Sequence, residues 1–281
     1  MYAVFLIILS CLSFSILAAL IKFLSNQVHP FEQAFFRNII SLLFILPFVL
    51  RQKVLVKNKQ NIKLLILRGL FGGITMILLF WSYTLIPLSQ AMAISFTTPL
   101  FMYFGAILFF KERVAQTNNT VLILGFILTV VLIRPDLELK LGALIALLAS
   151  IMHAIAGLLV KKISKTESVL TLMLSMVCIM TPISLIPSLY VWVHPNNLTV
   201  ILYLLLIAIF ATIGNYLWTK ALSMEQLTNL MPFEFSKLIF ATLLGLFFFD
   251  EKLDYIVIIS SIGLLILNNI LIKQIRSDEK F

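Results

Sequence analysis

The sequence predicts an all-α membrane protein of ten transmembrane helices, arranged as a 5+5 inverted-topology repeat. Three observations carry this reading: charge is scarce, apolar runs are long, and the second half of the chain matches the first. Of 281 residues, 61% are hydrophobic and only 12% are Asp, Glu, Lys or Arg, about half the roughly 25% charge of a soluble domain. At about 20 apolar residues per span, helices and short loops use the whole length, so function resides within the bilayer.

Apolar runs divided by brief polar breaks define the helices in order. The first, about residues 2–22, lacks the basic n-region of a signal peptide and is followed by nine further spans, so it is kept as a helix. The second (31–50) and third (64–85) flank a basic loop with Arg51, Lys53, Lys57, Lys59 and Lys63. The fourth (88–110) ends at Lys111-Glu112-Arg113, and the fifth (119–133) is short enough to need a turn from its flanks. The sixth (141–160) ends at Lys161 and Lys162, and the seventh spans 168–193. The sequon Asn197-Leu198-Thr199 after it lies too close to the membrane to carry weight. The eighth (199–219), ninth (228–249) and tenth (255–272) complete the set, with Lys273, Arg276 and Lys280 in the tail. A β-barrel would need alternating segments of about ten residues, which are absent.

Net charge is +9, from 21 Lys and Arg against 12 Asp and Glu. With a cytoplasmic amino terminus, 14 of the 21 basic residues fall on the inner side and four (Lys22, Arg134, Lys140, Lys252) on the outer, so both termini are expected inside. The excess charge thus sets topology, and nucleic acid is not an expected partner. Cys11 and Cys178 sit in the middle of apolar runs, without a disulfide framework or metal-ligand spacing; no cofactor is expected.

Sliding the chain against itself exposes the repeat. At an offset of 140, Ser10 meets Ser150, Lys22 meets Lys162 and Pro47 meets Pro187; at 137, Thr75 meets Thr212 and Trp81 meets Trp218; at 139, Glu112 meets Glu251. Five crossings per half turn the second copy upside down, so residues 1–136 and 137–281 form two inverted halves. Such halves pack around a midplane site and expose it to one side and then the other.

Several segments also carry a family resemblance: AFFRN at 34–38, LRG at 67–69, FWSYTLIPLSQAMAISFTTPLF at 80–101, FFKER at 109–113 and FFFDEKL at 247–253. Over nearly the whole chain the pattern resembles the drug/metabolite transporter superfamily, in its ten-helix group of two EamA domains. HPFEQAFFRN at 29–38, with the LRG and SFTTPLF runs, is most similar to the S-adenosylmethionine uptake carriers of intracellular bacteria. The resemblance implies a multi-pass transporter of the bacterial inner membrane. Its loose motifs fix an architecture better than a cargo. The second half departs from the first: Leu238 stands opposite Pro99 and Pro232 lies six residues earlier, so the break in the ninth helix is expected nearer the cytoplasmic end.

Buried charge is costly in a bilayer, so intramembrane ionisable residues are the first site candidates. Arg37 lies roughly 9 Å into the second helix, with Gln33 and Ser41 on the same stripe at i−4 and i+4. It is either an anchor for a substrate carboxylate or phosphate, or an arginine reaching the outer headgroups and pairing with Glu32. Lys237 lies roughly 13 Å into the ninth helix, near the midplane, with Glu234 one turn away; they are a self-neutralised pair or a substrate or proton site. Their inverted mates are Ser95 and Thr98, which makes the site asymmetric. Arg68 reads as an anchor reaching the cytoplasmic interface. His153 is a packing residue or a proton relay, and Gly69, Gly72 and Gly73 fit close helix packing. Trp81, Tyr83 and Trp218, with Phe80, Tyr216, Phe233 and Phe235, are packing or interface aromatics, or else a stack for an adenine with a cation–π contact to a sulfonium. That second alternative is suggested by the resemblance. Glu112 and Glu251 end helices on opposite faces and read as gate-rim residues.

The function expected from these residues is secondary transport of a small zwitterionic or anionic metabolite, with S-adenosylmethionine uptake as leading cargo and amino-acid or drug/metabolite export as the alternative. An intramembrane enzyme lacks support: there is no HExxH, no GxSxG, and every Asp lies at or beyond a helix end. A channel would need a ring of like charges or a filter loop. Expected partners are the small-molecule substrate and membrane lipids, and a homodimer is compatible with the sequence.

Overall fold

A computed structural model describes residues 1–52, 59–86, 94–112, 114–133, 141–195, 197–249 and 255–278. The sequence-predicted Glu251 and the Tyr83 side chain lie outside the described residues. Ten helices of 13 residues or more occur among the described residues: α1 (Tyr2–Leu24), α2 (Pro30–Arg51), α3 (Ile62–Leu85), α4 (Thr98–Phe110), α5 (Gln116–Ile133), α6 (Leu141–Ile163), α7 (Val169–Leu189), α8 (Leu198–Met224), α9 (Ser236–Phe249) and α10 (Tyr255–Asp278). Seven segments are long and apolar enough to cross a membrane, and three shorter apolar stretches accompany them.

Helix starts follow local chemistry. Pro30 opens α2, where its missing N–H costs nothing, and the preceding His29 accepts from the Phe31 N–H at 3.3 Å. Ser168 caps α7 by accepting from Thr171 N at 3.1 Å, and Asn197 caps α8 through Thr199 N at 3.0 Å. Helix α7 stops at Leu189, four residues short of the expectation, and the chain then folds across the start of α2. There Trp192 packs on Phe35 and Phe36, and Val193 N donates to Glu32 Oε2 at 3.1 Å. Helix α8 runs on to Met224, and Lys161 Nζ donates to the Leu222 and Glu225 carbonyls at its end.

Two helices are interrupted, the ninth as expected and the fourth in addition. In the fourth, Ile94 and Ser95 are helical, Phe96 and Thr97 form a turn, and α4 starts at Thr98 with Pro99 in its first turn; residues 87–93 lie outside the described residues. The expected ninth helix is broken into a single turn (Leu227–Leu230), a 3-10 segment (Met231–Phe235) that contains Pro232, and α9. Pro232 has no N–H to give and crowds the preceding turn; Pro47 and Pro187 are accommodated inside α2 and α7, whereas at Pro232 the chain passes into the 3-10 segment. At 13 and 14 residues, α4 and α9 each fall short of the about 20 residues a span requires.

Polarity is distributed as in a lipid solvent. Leu108 at 74%, Phe109 at 75% and Phe247 at 72% are exposed, whereas Ser10, Asn38, Ser41 and Thr75 are buried. Buried hydroxyls and amides bond across helices: Ser13 Oγ donates to Phe210 O at 2.8 Å, Asn38 Nδ2 to Ser184 Oγ at 3.1 Å, and Asn268 Nδ2 to Ser236 Oγ at 2.8 Å. Helix α1 packs on α8 and α9, α6 on α3 and α4, α2 on α7 and α8, α3 also on α7, and α5 on α10.

The glycines of α3 make the α3–α7 approach close. A Cβ on Gly69 would lie 2.7 Å from Ile179 Cβ, and one on Gly73 would lie 2.8 Å from Ile183 Cδ1. At Gly72 the nearest atom is Met180 Sδ at 3.5 Å, an ordinary contact. Overpacking of this kind costs about 1–3 kcal/mol. Gly69→Leu is therefore expected to lower the thermal midpoint of the detergent-solubilised protein by several degrees while Gly72→Ala leaves it near the wild-type value. Equal midpoints would show that the helices do not meet there.

Glu112, at the end of α4, accepts from the backbone N–H of Leu227 (3.2 Å) and Thr228 (3.0 Å) and from Thr228 Oγ1 (3.0 Å). It thus ties α4 to the broken segment. Bonds to a charged acceptor are worth about 1.5–3 kcal/mol each. Glu112→Ala is expected to destabilise the protein in the same assay and to raise amide exchange at Leu227 and Thr228, with α1 unaffected.

Candidate functional site

The break before α9 lies against a cavity of about 280 Å³ at the centre of the bundle, whose walls come from α1, α2, α3, α4, α6, α7, α8 and α9 with the segments that precede α4 and α9. Irregular backbone at membrane depth is tolerated where it lines such a cavity. Side chains of α1 approach the backbone here: Ser15 Oγ donates to Lys237 O at 3.0 Å, and Cys11 Sγ lies 3.8 Å from Phe233 O and 3.9 Å from Glu234 O.

Glu234 and Lys237 form an ion pair in which Lys237 Nζ donates to Glu234 Oε2. The second carboxylate oxygen accepts from Trp218 Nε1 at 2.7 Å. Trp218 in turn meets His153 edge to face at 5.8 Å. Lys237 Nζ also lies over the Phe14 ring, 5.2 Å from its centroid, a cation–π distance. The pair is not symmetric in access: Glu234 is 5% exposed and Lys237 28%. The carboxylate is thus clamped by two donors while part of the lysine side chain stays open.

Two further cations line the same cavity. Arg37 donates through Nη1 to Met76 Sδ at 3.8 Å, a weak acceptor. Glu32 is not its partner, because that carboxylate is buried against Val193 N at the helix start. Arg68 is 3% exposed and its Nε is buried with no hydrogen-bond partner. The expectation that Arg68 reaches the cytoplasmic interface is therefore corrected. Helix α3 begins at Ile62 and is preceded by a 3-10 turn at Lys59–Asn61, so Arg68 lies about 9 Å into the helix, and its burial in the cavity wall keeps it from the interface. Unpartnered charges at such depth cost at least about 2.5–3.5 kcal/mol each.

The structure brings Arg37, Ser95, Thr98, His153, Trp218, Glu234 and Lys237 to the cavity wall. It does not bring Gln33, Ser41 or Trp81 there. Gln33 Nε2 donates to Val28 O at 2.8 Å in the turn before α2, and Ser41 Oγ accepts from Thr212 Oγ1 of α8 at 2.8 Å, which ties α2 into the bundle. The stripe containing Arg37 is thus split, its arginine in the cavity and its flanks in helix contacts. Trp81 is 45% exposed and faces away from the core, as does Tyr216 at 41%, while Phe233 and Phe235 are core residues. Of the expected aromatic stack, Phe80 and Trp218 line the cavity. Sequence reasoning missed Arg68, Phe14, Asn215 and a group of methionines, Met76, Met102, Met176, Met180 and Met231. Flexible thioethers suit a wall that must repack around a ligand, but methionine in an apolar helix gives no sequence signal of that role.

The comparisons with known proteins agree with this architecture. The model of the EamA-like transporter family matches the chain twice, over residues 1–134 and 140–269. The chain is 30% identical over 252 residues to an S-adenosylmethionine uptake transporter of Rickettsia conorii, covering 88% of this chain and 84% of that protein. It is 24% identical over 258 residues to a pseudopaline exporter of Pseudomonas aeruginosa, covering 91% and 90%. One crystal structure superposes with a TM-score of 0.82 at 16% identity, over 96% of this chain and 98% of that one, and shares its fold. With the apolar helices and the central cavity, these matches make the protein a multi-pass membrane transporter rather than an enzyme: the chain belongs to the EamA-like transporter family.

Proposed function

We propose that the chain is a secondary carrier that moves a small zwitterionic or anionic metabolite across the bacterial inner membrane by alternating access, with S-adenosylmethionine uptake as its leading cargo. The observation that carries this reading is the cavity at the broken start of α9, lined by an ion pair and by two arginines that lack carboxylate partners among the described residues. A cargo carboxylate offers one of those arginines the bidentate acceptor the protein does not. Its ammonium or sulfonium can exchange places with Lys237 against Glu234 or rest on an aromatic face at Phe14, Phe80 or Trp218.

Alternating access requires two inverted halves, and several observations support them. The packing of α1 on α8 and α9 has its counterpart in α6 on α3 and α4. Pro47 and Pro187 occupy matching helix-interior positions in α2 and α7. The Thr98 Oγ1 contact to Ser150 O mirrors the approach of α9 to α1. Cytoplasmic termini follow from the basic residues on the inner loops. The uptake direction rests on the Rickettsia relative, and export, the activity named for the Pseudomonas relative, is the second reading.

Proteoliposomes loaded or bathed with labelled S-adenosylmethionine and a panel of amino acids test the cargo. Saturable S-adenosylmethionine uptake is expected; flux of amino acids alone would replace the cargo and keep the mechanism. Lys237→Ala leaves Glu234 buried without its cation, a change that costs about 3–5 kcal/mol. Both Lys237→Ala and Arg37→Ala are expected to reduce flux more than tenfold at unchanged membrane insertion. Normal transport by both variants would remove this cavity as the cargo site.

A further inference from the structure

We propose that the cavity binds two anionic groups at once, one at Arg37 and a second at Arg68. The inference rests on the carrier reading for its purpose, although its chemistry stands on the cavity wall. The charged side chains of that wall are Arg37, Arg68, Lys237 and Glu234, three cations and one anion, and the anion is held by Lys237 and Trp218. Arg68 is almost fully buried with an unsatisfied Nε, and Arg37 has only a thioether acceptor. A guanidinium that is both buried and unpaired is a ready partner for a carboxylate, phosphate or halide.

The two arginines enter from opposite ends. Arg37 lies near the start of α2 and Arg68 near the start of α3, and consecutive membrane-crossing helices begin on opposite faces. Arg37 Nη1 rests at Met76 Sδ, and Met76 lies eight residues, about 12 Å, beyond Arg68 along α3, while the Arg68 side chain leans the other way, toward the helix start. One compact carboxylate cannot bridge that span. The second anionic group is therefore either the far end of an elongated cargo or a separately bound inorganic anion.

Thermal unfolding of the purified full chain in detergent separates these cases, with chloride, phosphate or succinate titrated against gluconate at constant ionic strength. The wild-type midpoint is expected to rise saturably. In Arg68→Gln the half-saturating concentration is expected to rise at least tenfold, with recovery in Arg68→Lys. Saturation by chloride or phosphate assigns the second group to an inorganic anion, and saturation by succinate alone assigns it to the cargo. In the unmutated protein the same anion is expected to protect Arg68 from phenylglyoxal, which keeps the test open if Arg68→Gln fails to fold. A titration unchanged by Arg68→Gln, or no saturable response together with no protection, overturns the proposal. Flux in proteoliposomes reports separately: anion binding at Arg68 without movement of any labelled metabolite refutes the carrier reading alone.

Discussion

A lysine at mid-membrane depth keeps its charge only if an anion meets it, and here Glu234 does so from the preceding turn, held by Trp218 Nε1 on its other oxygen. Much of the centre of the molecule follows from that requirement. Glu234 belongs to a 3-10 segment that contains Pro232 and Lys237 to the first turn of α9, so the pair straddles the junction between them. Ser15 and Cys11 of α1 approach backbone carbonyls on both sides of that junction. The Glu112 carboxylate holds the other end of the broken segment from α4. An ion pair, a proline and a capping carboxylate together place a polar, discontinuous helix at the centre of an apolar bundle.

Around this fixed pair the cavity is unbalanced. Its two arginines have no carboxylate to meet, and their neighbours are methionines and aromatic rings rather than a second polar shell. Burying a charge without a partner costs more than an ion pair or a hydrophobic replacement would. Selection for stability alone would remove such groups, so their retention is best understood through what enters the cavity. Relatives named for uptake, in Rickettsia, and for export, in Pseudomonas, match the same chain, so the architecture alone does not fix a direction.

Much of this was legible in the sequence, because a bilayer makes charge so costly that few positions are left to consider. Lys237 and Glu234 stand out by depth and by i, i+3 spacing, and the structure joins them. Arg37 stands out too, yet its stripe mates Gln33 and Ser41 do not follow it, since one side of a helix turn can face a cavity while the adjacent side meets a neighbouring helix. Arg68 was misjudged because its depth depended on where α3 begins, and helix ends are the least certain feature of a hydropathy pattern. Pro232 announced a break, but its 3-10 form and the turn at Phe96 and Thr97 before α4 depend on tertiary contacts such as Thr98 Oγ1 to Ser150 O at 3.4 Å. Trp81 and Trp218, which meet when the sequence is slid by 137 residues, have opposite fates, one facing outward and one in the cavity, a difference set by packing and not by local sequence.

The central claim is that one cavity is served from both sides of the membrane. Thr98 lines it without belonging to the charged pair, and Cys11 and Cys178 are free thiols that can be replaced. The most direct test is labelling of Thr98→Cys, in a background of Cys11→Ala and Cys178→Ala, by a membrane-impermeant thiol reagent added to either face of oriented vesicles. Labelling from each face in turn, slowed from both by S-adenosylmethionine, is the predicted result. Labelling from one face only, under every condition, would contradict alternating access.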